Sequence, residues 1–456
     1  MRILLGLMPS PEPFPAAPVL QELDSDTGRV IWMSLRAADL WMGVDVEVRG
    51  GLFGEGAERA RTAGIDALEP LDPALGHALR VLAGVLGAPS VAGPQVASAC
   101  AALARWADKG GWPRTAFEAA ARGALAAPRD PAHALLAGTL AQRAADYPRA
   151  AAWAARAVRL ARRAGDGASH ANALLAMAQI HMVRGERAAA ESTLRETIRV
   201  ARRYGVWEVK PRAYHDLFCI QCTDGDVRTA AAYALAAAEG YGLHHERLAA
   251  LAHDLALFLA CHGRGRQALP LMQALAPRMS NPRLRLVAFS SMGRVAGRVG
   301  DRARFADAWT TVWTMLDQRL SEARAAEALI NLAFGAAELG DTARVEVAAR
   351  EALRIAEPRQ EWQEVDAARA MLGALAEHRS PGPPPTAAGT DDELRDALAA
   401  AELLLDQLLH TPALQAAGAS NRTDGRSSAA LPVRDREGAH TGAVPHGQPG
   451  GPAAAV

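Results

Sequence analysis

The sequence predicts an all-α protein, an α-solenoid of stacked antiparallel helix pairs that ends in a disordered C-terminal tail. Three observations predict it. The chain has 456 residues, more than one compact core organises, so it must divide into domains or run as an extended array. Alanine is abundant, aromatics make up only 5 %, and long β-branched runs are nearly absent, which favours close-packed helices over sheets. A pattern of small residues and turn glycines also recurs through the middle of the chain, as in arrays of stacked supersecondary units.

Residues 1–95 read as an irregular, mostly helical N-terminal cap, with a small separate domain as the alternative. Gly28–Trp41 and Glu55–Leu68 suit one degenerate helix pair, and Pro73–Leu86 suits a further helix. Val44–Arg49 alternates like a strand, but one strand cannot stand alone. The glycine-rich stretch Gly50–Gly56 has no clear buried strand before it and no lysine after it. It is therefore expected to be a turn and not a phosphate loop.

The repeat carries the fold assignment for residues 96–379. One copy runs Gly138, Ala145, Ala150, Ala157, with Asp146 and Tyr147 closing its turn. The same register returns as Ala178, Gly185, Ala190, Thr197, then Phe218, Gly225, Ala230, Ala237, then Ala256, Gly263, Ala268, Leu275. It continues as Gly293, Gly300, Phe305, Val312 and as Ala333, Gly340, Val345, Ala352; an upstream copy is Ala104, Gly111, Ala116, Gly123. The first positions, 104, 138, 178, 218, 256, 293 and 333, advance in steps of 34, 40, 40, 38, 37 and 40 residues. Two antiparallel helices approach closely only where small side chains sit at the crossing of their axes. The turn glycines supply the left-handed conformation that ends the first helix. Asp226, Asp301 and Asp341 are placed to cap the second.

This register resembles the tetratricopeptide repeat family over about residues 95–357. The 34-residue step matches the family directly, and the longer steps resemble the repeat arrays of bacterial regulators. The resemblance implies a right-handed superhelix whose concave groove is lined by the first helix of each pair. Carried over residue by residue, the groove set comprises Arg105, Arg143, Gln179, Arg212, His215, His253, Arg294 and Arg298. Arg294 and Arg298 lie four apart, within reach of one shared carboxylate or phosphate. The Lys and Asn set with which some family members grip a peptide's C-terminal carboxylate is not reproduced.

After the array, Glu361–His378 reads as a closing helix with Val365, Ala368, Met371, Leu372 and Leu375 on one stripe. A proline-rich linker occupies 380–390, and Thr390 with Glu393 forms a plausible capping box for an amphipathic helix over 391–410. This helix is expected to pack on the protein's own body, with the groove or another protein as alternatives. Residues 411–456 carry too little apolar mass to fold and are expected to be disordered.

Composition narrows the function. Fifty basic residues balance fifty acidic ones, which argues against nucleic acid as a partner. No apolar segment reaches the ~20 residues that span a bilayer, and Ile3–Met8 is too short for a secretory core and runs straight into prolines. Four scattered cysteines make no disulfide framework, so a cytoplasmic setting is expected. Neither lysine, Lys109 or Lys210, sits in a nucleotide-binding loop.

His215, Cys219 and Cys222 fall on one helical face at about 100° per residue, and His253 or Cys261 of the next repeat is a possible fourth metal ligand. Structural zinc sites use loop spacings instead, so metal sharing stays open and no metal or cofactor is assigned. His-Asp-Leu occurs twice, at 215–217 and 253–255, without a nucleophile and oxyanion-hole motif beside it. The reading is a non-enzymatic scaffold that binds a peptide or protein partner. The alternative is a ligand-sensing repeat domain of a transcription-regulatory system, acting through another chain.

Overall fold

The structure is a computed structural model that describes residues 18–23, 25–68, 71–87, 91–224, 226–279, 281–318, 323–379 and 391–415. Among these residues no strand occurs, and Val46–Gly51, within the alternating stretch, is a 3-10 turn. Four N-terminal helices, α1 (Pro18–Glu22), α2 (Asp26–Gly43), α3 (Ala57–Asp66) and α4 (Pro73–Gly84), precede the array. Ile31, Leu35, Trp41 and Leu79 join Leu103 and Phe117 in one hydrophobic core. The Glu22 carboxylate accepts the backbone N–H groups of Arg114 and Thr115, at 2.9 and 2.7 Å, and so caps a helix far along the chain.

Seven pairs follow. They are α5 (Gly93–Lys109) with α6 (Pro113–Ala126), α7 (Pro131–Arg143) with α8 (Tyr147–Ala164), α9 (Gly167–Val183) with α10 (Arg187–Tyr204), and α11 (Val209–Asp224) with α12 (Val227–Tyr241). Then come α13 (Leu248–Leu259) with α14 (Gly265–Leu275), α15 (Pro282–Arg298) with α16 (Arg302–Asp317), and α17 (Ala325–Glu338) with α18 (Thr342–Arg359). Two further helices are α19 (Trp362–Ala376) and α20 (Asp391–Leu409).

The expected register is present. Ala104, Gly138, Ala178, Phe218, Ala256, Gly293 and Ala333 are all buried. At Gly138 a Cβ would meet the Ala154 nitrogen at 3.2 Å, which marks a tight crossing of α7 and α8. Gly111, Gly185, Gly263, Gly300 and Gly340 take positive φ at the turns, whereas Gly225 lies outside the described residues. Ala145 fills the equivalent turn position with φ 56°, a conformation in which a Cβ carries a steric cost. Asp226, Asp301 and Asp341 cap α12, α16 and α18 as expected, and Asp146 caps α8 in the same way.

Helices α15 and α17 approach more closely than the other first helices do. A Cβ on Gly297 would lie 2.2 Å from the Gly335 carbonyl oxygen and 2.5 Å from its Cα. Gly297→Ala is therefore expected to lower stability by ~1–3 kcal/mol through overpacking, although alanine is the better helix former. Gly373 in α19 meets nothing within 4 Å, so Gly373→Ala should raise stability by up to ~1 kcal/mol. Thermal melts of the two variants side by side check the contrast.

Of two long-range features, the curl of the array was not foreseen, whereas the packing of α20 on the protein's own body was expected and only its seat is new. The array curls until its early turns meet its last pairs: Ala145 and Tyr147 pack with Val183 against Ala323, and Arg184 donates to Gln360 at 3.3 Å. Helix α20 packs on α12 and α13 at a point where those two helices touch only thinly. Leu398, Leu404, Leu405 and Leu408 are buried there, with Arg264 and Glu402 paired at 3.1 Å alongside.

The expected disorder from residue 411 starts too early. Residues 412–415 form a helical turn, Leu414 is buried at 1 % exposure, and its carbonyl accepts Arg278 Nη1 at 2.9 Å. The buried Leu414 side chain and the Arg278 bond together hold this short stretch on the body. Residues 380–390 and 416–456 lie outside the described residues. No helix among the described residues is long and apolar enough to cross a membrane.

Candidate functional site: the polar row on the first helices

Successive first helices are joined by polar side chains at the period of the repeat. Asp108 of α5 pairs with Arg143 of α7, and Asp216 of α11 accepts Gln179 of α9 at 3.0 Å. Asp254 of α13 accepts His215 of α11 at 2.9 Å, and Asn331 of α17 accepts Arg294 of α15 at 3.4 Å. These pairs are 35, 37, 39 and 37 residues apart. Each is one repeat step, so one face of each first helix contributes to a common row.

The densest part of the row is at α11–α13. His215 is buried, its Nε2 toward Asp254 Oδ2 and its Nδ1 3.3 Å from Tyr241 Oη. His253 is also buried and sets Nδ1 3.1 Å from Asp254 Oδ1, while its Nε2 has no hydrogen-bond partner among the described residues. The Cys219 thiol donates to Asp254 Oδ2 at 3.6 Å. Burial alone would raise the pKa of Asp254, but the hydrogen bonds from His215 and His253 outweigh it and hold the carboxyl ionised. Burial, reinforced by the Asp254 charge, pushes the Cys219 thiol well up and keeps it protonated. Among the groups that meet here, Cys222 is replaced by Asp254. The repeated His-Asp element supplies a histidine from one copy and an aspartate from the next.

Around this cluster, cations outnumber their partners. Arg212 is half-buried, its Nε is unpartnered, and it makes no ion pair among the described residues. Its pKa is lowered by burial and by the nearby Arg247 and Arg143 charges, against the raising effect of Asp216. Arg283, in the first turn of α15, is likewise lowered by burial and by Arg143 and Arg324. A first helix of the sixth pair thus lies within electrostatic reach of the second and seventh.

The remaining expected residues differ in setting. Arg105 and Arg298 are exposed. Arg294 lies over the Phe334 ring at 4.5 Å, and burial, with the Arg298 charge, lowers its pKa. Arg247, Arg283, Arg324 and Tyr147 were not expected at this site. Arg283 does occupy a first helix, but only the curl of the array brings it near Arg143.

Pairs stacked in register, with a polar row on their first helices, define an α-solenoid of tetratricopeptide-like units. No protein-family model matches the sequence, and no curated protein does. Among solved structures, a Rap protein complexed with competence and sporulation factor covers 74 % of this chain and 99 % of its own, at 11 % identity and a TM-score of 0.48. The Rap conjugation gene regulator of plasmid pLS20, in complex with the Phr* peptide, covers 84 % and 97 %, at 12 % identity and a TM-score of 0.37. The TPR domain of P58(IPK) covers 84 % and 99 %, at 14 % identity and a TM-score of 0.19.

Proposed function

We propose that the chain is a non-enzymatic scaffold that binds an extended peptide or protein segment carrying carboxylates along the polar row of its first helices. The half-buried, unpaired Arg212, surrounded by Arg143 and Arg247, carries this reading. Asp216 offsets the burial of Arg212 only in part, and a bound carboxylate adds the counter-charge that a half-buried guanidinium needs. Arg143, Gln179, Arg212 and Arg283 form the centre of the proposed surface, Arg105, Arg294 and Arg298 its ends. His215 and His253 support the floor. A rigid, preformed surface of this kind loses little conformational freedom on binding.

Affinity capture from cell lysate, with mass spectrometry, tests the proposal. Wild-type protein should retain a partner that Arg212→Met with Arg283→Met loses, in a manner weakened by salt. The double variant should melt at the same temperature as wild type or higher, because it removes uncompensated half-buried charge. Equal capture by both proteins would refute the assignment.

A further inference from the structure

We propose that His215, Cys219 and Asp254 form a binding site for a divalent transition metal of the zinc class, set between the fourth and fifth helix pairs. The three ligand atoms all lie within 4.8 Å of one another. His215 Nε2 and Asp254 Oδ2 are 2.9 Å apart, and Cys219 Sγ is 3.6 Å from the same oxygen. Tetrahedral coordination with bonds of ~2.0–2.3 Å separates ligand atoms by ~3.2–3.8 Å. Side-chain shifts of about an ångström or less therefore admit an ion.

The supporting contacts suit this chemistry. With Nε2 on the metal, His215 Nδ1–H donates to Tyr241 Oη; Asp254 Oδ1 continues to accept His253 Nδ1–H. Each ring or carboxylate is thus oriented by a partner behind it, as metal ligands require. His215 and Cys219 come from adjacent turns of α11 and Asp254 from α13. The set of nitrogen, sulfur and oxygen donors favours zinc or cobalt over magnesium or calcium.

Binding breaks the Cys219 S–H bond. The proton leaves to water, the thiolate donates an electron pair to the metal, and the ion's two positive charges balance the thiolate and the Asp254 carboxylate. The Asp254 side chain is 28 % exposed, so water or a partner group can complete the fourth position. Helices α11 and α13 otherwise touch thinly, and a metal would join them directly.

Cobalt titration of the full chain, after stripping with a chelator, tests the site. The expected result is a thiolate-to-cobalt charge-transfer band with tetrahedral ligand-field absorption that saturates at a single equivalent. Zinc should displace cobalt and raise the melting temperature, as a ligand of the native state must. Cys219→Ser should abolish the charge-transfer band, Asp254→Asn should weaken binding at least about tenfold, and Cys222→Ser should leave both unchanged. Circular dichroism of the metal-free variants separates lost binding from lost folding. If Cys219→Ser does not fold, the Asp254→Asn and Cys222→Ser results decide. No band in the wild type, or a band that survives Cys219→Ser and disappears in Cys222→Ser, would overturn the proposal.

Discussion

Deleting the chain from residue 391 onward is expected to open the junction between α12 and α13. The melting temperature should fall, and proteolysis within 242–247, the connection between those helices, should quicken at least about tenfold. The deleted segment buries Leu398, Leu404, Leu405, Leu408 and Leu414, with Ala397 and Ala401 between them. A fully buried leucine contributes ~1.5–3 kcal/mol by transfer from water, and the surface left on α12 and α13 would itself be apolar. A single truncation, Leu405→Ala at a side chain 2 % exposed, should cost ~2–5 kcal/mol. Unchanged melting and cleavage after the deletion would mean that α20 rests on the array without holding it.

Between about pH 5 and 8 the protein is expected to lose stability, and Glu364→Gln should remove much of that loss. Glu361 and Glu364 sit at the turn into α19, buried at 2 % and 8 % exposure, each with one carboxyl oxygen that has no hydrogen-bond partner among the described residues. Burial, with the Glu327 and Glu361 charges, pushes Glu364 up to about 8; burial pushes Glu361 up to about 7 despite the neighbouring Arg359. A carboxyl with a raised value in the fold binds its proton more tightly there than in the unfolded chain. Its stabilisation is complete below the ordinary value and is lost as pH rises through the folded one. For Glu364 the loss is on the order of 4 kcal/mol by pH 8. The neutral amide introduced by Glu364→Gln avoids it, so the melting temperatures of variant and wild type should diverge with rising pH. An exposed control, Glu377→Gln, should follow wild type. Parallel curves for Glu364→Gln and wild type would show that these carboxyls ionise freely. Tyr147 lies beside the same acids, so the loss should loosen the contact between the early turns and the last pairs.

Much of the fold was legible because its causes are local. Turn glycines after six of the seven first helices, aspartates that cap α8, α12, α16 and α18, and small residues at most crossings are written within the repeats. The seven-copy phase therefore placed α5 to α18, and Ala145 adopted the left-handed turn even without glycine. The polar row was partly legible too, since its residues recur at the repeat step. Its partners were not. Asp254 in place of Cys222 beside His215 depends on how α11 stands against α13, an angle that no spacing along one helix specifies.

By itself, then, the sequence determined the helix pairs and their turns, because each follows from residues within some forty positions, while the face of the first helices was expected only from the family resemblance. The tertiary structure alone decided three things: the approach of Arg283 to Arg143, the closure around Tyr147 and Glu364, and the seat of α20 between α12 and α13. Each joins segments far apart along the chain. Small rotations per pair accumulate over a solenoid, and their sum sets which distant surfaces meet.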